Sequence, residues 1–305
     1  MFDPIGTMDP WHTQSSASVS DNRYDLQKEF PALTLRPTAL KSATDELLWI
    51  WQKKSNSVLD LNSHIWDTWA DEDATIGRAY GFQLRQRHRY QGITVEKLQH
   101  AFPEGEQITK NDQTLFAKYK ENGSDIKVIY AVQLDKNLNL WEMDQINKVI
   151  YDLHNTPYSR RIMTSIYTFE DLHAMNLYPC AYSVTFNVTK DPASSKLVLN
   201  TILNQRSNDV LVANNWNVAQ YAILTMMIAQ VCDMIPGEFV HMIADAHIYD
   251  RHVDIIKELI TREPYPAPTV KLNPAIQDFY DFTTNDLFVE NYQKHPQIKN
   301  IPVAA

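Results

Sequence analysis

Cysteine, glycine and long apolar runs are all scarce in this sequence. Its 305 residues include two cysteines, Cys180 and Cys232, too few for a disulfide framework, which favours a reducing, cytoplasmic location. With seven glycines there is no Gly-rich phosphate loop, so P-loop and Rossmann sites are excluded. The main apolar run, 221–232, is shorter than the roughly 18–20 residues that span a bilayer. The first residues do not have the pattern of a secretory signal, and no membrane partner is expected.

Positive charge is also in deficit. Lysine and arginine number 28 against 37 acidic residues, which gives a net charge of −9. Binding to nucleic acid phosphates requires a basic surface, so nucleic acid is not expected as the main partner. A small anionic ligand remains compatible with this charge, because a few converging arginines can bind it.

Hydrophobic periodicity predicts strands interleaved with long helices. Helices are predicted over 38–55 (with Thr38 as its cap), 144–153, 220–234 and 253–260. Strands are predicted over 162–168, 182–189, 196–204 and 238–243, with one early strand among the loops of the first 30 residues. The pattern is typical of an α+β (mixed α/β) fold, a single domain over 1–305 built on a large mixed β-sheet covered by helices.

Residues 85–142 differ from the rest of the chain in composition. They are rich in charged and amide side chains, and their apolar content is low. We interpret them as a surface insertion within the single domain, because the stretch is too short and too polar for a separate core. Only 126–132 is predicted to form a strand there.

The two cysteines lie in different local sequences. Cys180 follows Pro179 and precedes a predicted strand, whereas Cys232 lies in the apolar helix pattern and is interpreted as a structural thiol. A cysteine needs a cationic or hydrogen-bonding environment to become a nucleophilic thiolate. The local sequence alone leaves both a nucleophilic and a structural role open for Cys180.

A series of short motifs runs in a fixed order along the chain. They are Phe30–Leu33, Glu46–Trp49, Ile65–Ala70, Ala79–Gly81, Ser159–Arg161, Tyr178–Cys180, Asn204–Asp209, Trp216–Ala222, Gly237–His241, Asp245–Tyr249 and Pro302–Ala305. Together they resemble the folate-dependent thymidylate synthase family, and the local sequences around Cys180 and Asn217 are similar to those of its Firmicutes-type branch. The resemblance implies that family's fold, with sheets packing across a homodimer interface.

The resemblance also implies a reaction and a cosubstrate. The reaction is the reductive methylation of dUMP to dTMP, with 5,10-methylenetetrahydrofolate as one-carbon and hydride donor and no metal. Cys180 is expected to add to uracil C6, which makes C5 nucleophilic. Arg206 and Ser207 are expected to bind the phosphate, and Arg206 also to lower the thiol pKa. Arg160 and Arg161 are expected to reach the phosphate of the neighbouring subunit, so that the homodimer shares its phosphate sites.

Three further residues are matched to nucleotide recognition. Asn217 is expected to donate to uracil O4 and accept from N3–H, where an aspartate would favour cytosine. Its alternative interpretation is the N-cap of the helix that follows. His247 and Tyr249, two residues apart on a predicted strand, are expected to share one face and to hold the ribose 3′-hydroxyl.

Two residues are matched to proton transfer. Glu46 lies in a nearly all-apolar helix pattern, where an unpaired carboxylate would be costly. It is expected to organise water and proton transfer near O4, and burial should raise its pKa. Tyr80 is expected to assist removal of the C5 proton.

The remaining matched residues concern folate. Asp209 is expected to act in catalysis and to bind the pterin ring. Trp66 and Trp69 are expected to wall that pocket, although tryptophans at such positions are often only core residues. Ala305, at the end of a family-like tail, is expected to contact the folate.

The sequence departs from the family at the N-terminus. The family's phosphate loop carries an arginine, whereas the first arginine here, Arg23, belongs to the predicted early strand, and 6–13 is interpreted as a remnant of the loop. Two alternatives therefore stay open at this point. One is a dUMP hydroxymethylase that quenches the same intermediate with water, and the other is a non-catalytic nucleotide-binding relative.

Overall fold

A computed structural model describes residues 14–17, 19–123, 125–299 and 301–302. Its α-helices are α1 (Leu40–Trp51), α2 (Gly81–Arg85), α3 (Val95–Ala101), α4 (Gln145–Asn155), α5 (Asn214–Val231) and α6 (Val253–Leu259). Its strands are β1 (Gln14–Ala17), β2 (Ser20–Asp25), β3 (Arg87–Tyr90), β4 (Glu106–Lys110), β5 (Gln113–Tyr119), β6 (Ile126–Asp135), β7 (Leu140–Asp144), β8 (Met163–Ser165), β9 (Ala181–Lys190), β10 (Leu197–Gln205), β11 (Asn208–Asp209), β12 (Ile235–Ile243), β13 (Ala246–Tyr249), β14 (Thr269–Leu272) and β15 (Leu287–Glu290). The predicted mixed α/β fold is confirmed.

The central element is a five-stranded mixed sheet in the order β2-β12-β10-β9-β8. β10 and β12 are parallel, and the other neighbouring pairs are antiparallel. Alternating β-branched and aromatic residues give each strand one core face. Val184, Leu203 and Phe239 are on that face and are almost fully buried. The opposite face carries half-buried residues such as Thr185 and Ile202.

One apolar helix covers the core face of this sheet, and a second packs on that helix. α5 packs on β10 and β12, and α1 packs on α5. The predicted helix 220–234 is present, but it begins at Asn214, so the N-cap interpretation of Asn217 is wrong: its backbone N–H donates to the Ala213 carbonyl at 2.9 Å. Thr38 is not the cap of α1 either, because the helix begins at Leu40 with Ala39 at the cap position. The Thr38 hydroxyl instead accepts a bond from Asn215 and thereby ties the two helix starts together.

Residues 85–142 form much more regular structure than their composition indicates. The predicted strand at 126–132 is confirmed as part of β6, but β6 is one of five strands in an antiparallel sheet ordered β3-β7-β6-β5-β4. Phe116, Tyr130 and Trp141 are buried and belong to the main hydrophobic core. The low apolar content of this stretch is a poor guide to its burial, because a few large aromatic rings bury as much surface as many small residues.

Smaller sheets complete the fold. β1, β13 and β11 form a three-stranded sheet, and β14 pairs with β15. The early part of the chain has two strands, β1 and β2, where one was predicted, and Arg23 lies in β2 as expected. The strand predicted over 162–168 is reduced to β8. Within the described residues, none of the helices combines the length and apolarity needed to cross a membrane.

Candidate active site

Cys180 lies immediately before β9, at the point where that strand pairs with the end of β10. A bulge between the pairs Asn204–Ser183 and Gln205–Ala181 ends the ladder there. Arg206, the residue that follows β10, donates its backbone N–H to the Cys180 carbonyl at 2.9 Å. Strand register therefore places the predicted nucleophile beside the predicted phosphate-binding arginine.

The Arg206 guanidinium faces the thiol. Its Nη2 atom lies 3.8 Å from Cys180 Sγ, while Nε and Nη2 also donate to the Pro179 and Tyr178 carbonyls at 3.0 and 2.8 Å. Burial raises the pKa of the Cys180 thiol, and the Arg206 charge and a bond with Tyr80 offset this only in part. The expectation that Arg206 lowers the thiol pKa holds for its own contribution, but the net shift has the opposite sign, because desolvation is the larger effect.

Tyr80 is held next to Cys180 by a strained backbone. Its φ of 47° is unusual for an aromatic residue, and Gly81 follows it because a Cβ there would lie 2.1 Å from the Ser55 carbonyl oxygen. The Tyr80 hydroxyl accepts a hydrogen bond from the Cys180 backbone N–H at 3.1 Å. Burial and the nearby Cys180 raise the pKa of Tyr80 well above its ordinary value.

Glu46 is buried in α1 and is fully engaged in hydrogen bonds. Trp66 Nε1 donates to Oε1 at 2.7 Å, Gln220 Nε2 donates to Oε2 at 2.8 Å, and Trp216 Nε1 also donates to Oε2. Burial raises the pKa of the carboxyl group, as predicted, and the three donors oppose that shift. The sequence anticipated the cost of burying Glu46 but not the two partners from α5.

Asn217 belongs to a continuous chain of side-chain hydrogen bonds. Gln205 Nε2 donates to its Oδ1 at 3.0 Å, and its own Nδ2 donates to Gln220 Oε1 at 3.3 Å. At the far end, His241 Nε2 lies 2.7 Å from Gln205 Oε1. The amide proposed to recognise uracil is therefore connected to Glu46 through Gln220.

The predicted folate and ribose residues lie together at β11 and β13. β13 places His247 and Tyr249 two residues apart, with ring centroids separated by 5.1 Å. The buried His252 stacks edge-on against Tyr249 at 5.6 Å, and its Nδ1 lies 3.6 Å from Asp209 Oδ1. His252 Nε2 donates to the Pro302 carbonyl at 2.7 Å, so the chain near its end runs beside Asp209.

The two predicted pocket tryptophans contact each other and Tyr80. The rings of Trp66 and Trp69 are 5.6 Å apart, and those of Trp66 and Tyr80 are 5.0 Å apart. Trp66 is buried, whereas Trp69 is half-buried. Trp69 is therefore the one with ring surface left for a ligand, and Trp66 also serves as core and as a donor to Glu46.

The structure places the remaining predicted residues less directly. Ser207 is half-buried next to Arg206, and its carbonyl accepts from Gln205 at 3.0 Å. Arg160 and Arg161 are exposed and precede the edge strand β8, and neither takes part in the hydrogen bonds described above around Cys180 and Asn217. Ala305 and the loop remnant at 6–13 lie outside the described residues.

Sequence reasoning missed several residues that the fold brings to this site. They are Arg36, Gln205, Trp216, Gln220, His241 and His252. Arg36 is buried, and its guanidinium binds the Leu211 carbonyl and, at 3.1 Å, Asn215 Oδ1. Burial lowers the pKa of Arg36, and the nearby Asp209 carboxylate opposes that change. A polar residue within an otherwise apolar helix or strand, as Gln220 and His241 are, was the available signal, because such residues require a buried partner.

Comparison with known proteins identifies the family of the chain. The family model described as thymidylate synthase matches residues 9–304. Thymidylate synthase 1 of Bacillus spizizenii is 37% identical over 295 residues, which cover 96% of this chain and 85% of that protein. The thymidylate synthase of Bacillus phage phi3T is 37% identical over the same shares. The solved structure of thermostable thymidylate synthase A from Bacillus subtilis superposes with a TM-score of 0.71 at 35% identity, covering 93% of this chain and 84% of that one.

These matches run over nearly the whole length of the sequence, so the chain belongs to the thymidylate synthase family. It is an enzyme, a methyltransferase that converts dUMP to dTMP with 5,10-methylenetetrahydrofolate as cosubstrate. The resemblance read from the motifs is confirmed, and thymidylate synthesis is favoured over the two alternatives that the sequence had left open.

Proposed function

We propose that Cys180 is the nucleophile of this reaction and that it adds to C6 of dUMP. The observation that carries the proposal is the 3.8 Å approach of Arg206 Nη2 to the Cys180 sulfur, in a corner where the Tyr80 hydroxyl binds the cysteine N–H at 3.1 Å. A cation beside a buried thiol stabilises the thiolate as it forms. Sulfur addition breaks the C5–C6 double bond of uracil and makes C5 the nucleophile.

Arg206 also binds the nucleotide phosphate, with Ser207 beside it. Arginine has five N–H donors, and the bonds to the Tyr178 and Pro179 carbonyls fix the plane of the guanidinium. A fixed guanidinium suits phosphate, because two of its donors can engage two phosphate oxygens. Phosphate binding would therefore bring C6 of the base to the sulfur.

Asn217 binds the uracil edge, and Glu46 organises water and proton transfer near O4. The connection is Gln220, which binds Asn217 at 3.3 Å and Glu46 at 2.8 Å. A carboxyl group whose pKa is raised by burial exchanges protons closer to neutral pH. Tyr80, with its proton retained by burial, assists removal of the C5 proton, and His247 and Tyr249 hold the ribose.

The folate site is formed by Asp209, Trp69 and Arg36. The folate supplies the one-carbon unit and the hydride. The residues fit a flat, polar ligand with an anionic tail: Trp69 offers a half-buried ring, Asp209 a carboxylate, and Arg36 a buried Nε that has no hydrogen-bond partner among the described residues. The buried Trp66 packs against Trp69 and supports its position in the site. Ala305 is proposed to cover the ligand, since Pro302 already lies against His252 next to Asp209.

The active unit is a homodimer, and its interface is the sheet face that the helices leave uncovered. Met163, Thr185 and Ile202 are cross-strand neighbours and therefore share that face, and Met163 is 49% exposed. Arg160 and Arg161 lie just before β8, separated from it by Ile162, at the edge of the same sheet. An isologous pairing of two such faces would carry this arginine pair to the partner's phosphate site.

The reaction takes place in the cytoplasm, in line with the two unpaired cysteines.

Mass analysis of the product tests the proposed function. Purified protein is incubated with dUMP and 5,10-methylenetetrahydrofolate, and the nucleotide product is identified by its mass. The expected product is dTMP, and a Cys180→Ser variant should form none. A hydroxymethylated nucleotide would instead indicate capture by water, and dTMP formation by the Cys180→Ser variant would exclude Cys180 as the nucleophile.

A further inference from the structure

The hydrogen bonds around Asn217 run in one direction through four side-chain contacts. His241 Nε2 meets Gln205 Oε1 at 2.7 Å, and Gln205 Nε2 donates to Asn217 Oδ1 at 3.0 Å. Asn217 Nδ2 then donates to Gln220 Oε1 at 3.3 Å, and Gln220 Nε2 donates to Glu46 at 2.8 Å. The other contacts of the two glutamine amides fix which of their atoms donate and which accept.

Both glutamines are fixed by groups that can only accept. Gln205 Nε2 also contacts the Ser207 carbonyl at 3.0 Å, so its nitrogen must lie on that side and its oxygen must face His241. Gln220 Nε2 contacts the Ala43 carbonyl at 3.2 Å in addition to the Glu46 carboxylate, so its oxygen must face Asn217. Neither amide can rotate by half a turn without placing an oxygen against an oxygen, which costs hydrogen bonds that nothing else in a buried site replaces.

His241 must be the donor at the start of the chain. The ring is fully buried, its Nδ1 has no hydrogen-bond partner among the described residues, and burial lowers its pKa to about 4. The neutral ring therefore carries its proton on Nε2, where Gln205 Oε1 accepts it. This bond acts together with the Ser207 contact in holding the Gln205 oxygen away from Asn217.

The fixed polarity determines which base Asn217 can bind. With Gln205 on its oxygen side and Gln220 on its nitrogen side, Asn217 offers a ligand one acceptor and one donor in a set order. Uracil presents a complementary pair, N3–H and O4. Cytosine presents an unprotonated N3 and an amino group, which would place acceptor against acceptor and donor against donor.

We propose that His241 is a positioning residue that sets the base preference, by holding the Gln205 amide, and through it the Asn217 amide, in the orientation that binds uracil and rejects cytosine. The inference rests on the proposed role of Asn217 as the base-binding residue. It extends that role to a histidine on β12 that does not touch the nucleotide in this scheme.

The experiment compares variants of His241 that differ only in the donor. His241→Phe keeps a flat ring and removes the Nε2 donor, whereas His241→Gln keeps an N–H donor at a similar reach. Thr201→Val is the matched control, because Thr201 is fully buried in β10 of the same sheet and its hydroxyl has no hydrogen-bond partner among the described residues. The readouts are calorimetric Kd values for dUMP and dCMP, kcat/KM for both nucleotides, and the thermal midpoint of each variant.

In His241→Phe the preference for dUMP over dCMP should fall by about tenfold, the size expected when one buried hydrogen bond no longer fixes an amide. His241→Gln and Thr201→Val should stay within about threefold of the parent. A uniform loss for both nucleotides in His241→Phe, or an unchanged ratio, would overturn the inference, since a purely structural histidine predicts one of those results.

A second variant removes the intermediate amide and is read in the same assays. Gln205→Met leaves Asn217 Oδ1 without the Nε2 donor, so the preference for dUMP over dCMP should fall at least as far as in His241→Phe. If His241→Phe does not fold, an unchanged ratio in Gln205→Met would by itself overturn the inference. Asn217→Ala distinguishes a failure of the proposed role of Asn217 from a failure of the role of His241. Unaffected dUMP binding in Asn217→Ala would refute the proposed role of Asn217. Weakened dUMP binding in Asn217→Ala, together with an unchanged dUMP-to-dCMP ratio in His241→Phe, would refute only the role of His241.

Discussion

Trp216 and Trp66 donate their indole N–H groups to opposite oxygens of the Glu46 carboxylate. Trp66 lies in the loop that follows α1, and Trp216 in the first turn of α5, so the carboxylate bonds to both segments. Hydrogen bonds to a carboxylate favour its ionised form, whereas burial favours the protonated form. The pKa of Glu46 depends on the balance between these two effects.

Trp216→Phe should raise the pKa of Glu46 further, because it removes one donor and leaves the burial. The expected result is a shift of the acidic limb of the kcat/KM profile for dUMP toward higher pH. Trp141→Phe is the control: Trp141 is fully buried, and its Nε1 has no hydrogen-bond partner among the described residues. A profile that stays in place in Trp216→Phe, or moves equally in both variants, would contradict the assignment of that limb to Glu46.

The two cysteines should differ completely in function. Cys180→Ser is expected to abolish dTMP formation while retaining the thermal midpoint of the parent, because a hydroxyl at this corner is a much weaker nucleophile than a thiolate. Cys232→Ala should keep the activity and lose on the order of 1 kcal/mol of stability from its buried position. Turnover and thermal unfolding of both variants provide the measurement, and loss of activity in Cys232→Ala alone would reverse the assignment.

Arg206 should control the ionisation of Cys180. Arg206→Met removes the nearby positive charge, so the pKa of the thiol, already raised by burial, should rise further. The rate of alkylation by iodoacetamide, followed against pH by mass spectrometry of the Cys180 peptide, should reach its midpoint at a higher pH than in the parent. Arg23→Met, at an exposed ion pair with Glu238, is the control and should leave the midpoint unchanged. Equal midpoints in Arg206→Met and the parent would show that the charge is not felt by the thiol.

Asn217→Asp should weaken turnover of dUMP and allow dCMP to compete. A carboxyl group presents its proton and lone pairs differently from an amide, so one paired contact to uracil is lost, at a cost of about 1–3 kcal/mol. Steady-state kinetics with each nucleotide measure the change. Unchanged dUMP kinetics would rule out Asn217 as the base-binding residue.

Subunit mixing tests the shared phosphate site. A Cys180→Ser protomer and a protomer carrying Arg160→Ala and Arg161→Ala should each be inactive or nearly so alone, and their heterodimer should regain up to one working site. Sedimentation verifies the dimer, and activity is followed during subunit exchange. A monomer in solution, or no recovery after exchange, would exclude the shared site.

The sequence anticipated the fold best where a pattern was local and long. The helix containing Glu46, the long apolar helix and the central strands were all predicted, with errors of a few residues at their ends, except that α5 begins six residues earlier than 220. The sheet at 85–142 was largely missed outside β6, because its other strands lack a clear period-2 alternation: β4 has the sequence EQITK, with a single apolar residue, and β5 is buried over four successive positions.

The sequence by itself determined the order of the motifs, the contrast between Cys180 and Cys232, and the need for a partner at Glu46. Only the tertiary structure decided what those partners are, since Trp216 lies 170 residues from Glu46 along the chain and Gln205 lies 36 from His241. Hydrogen bonds between side chains so far apart depend on strand register and helix packing, which no local pattern encodes. The same holds for the pKa of Cys180, where the extent of burial outweighs the charge of an arginine that the motifs had already identified.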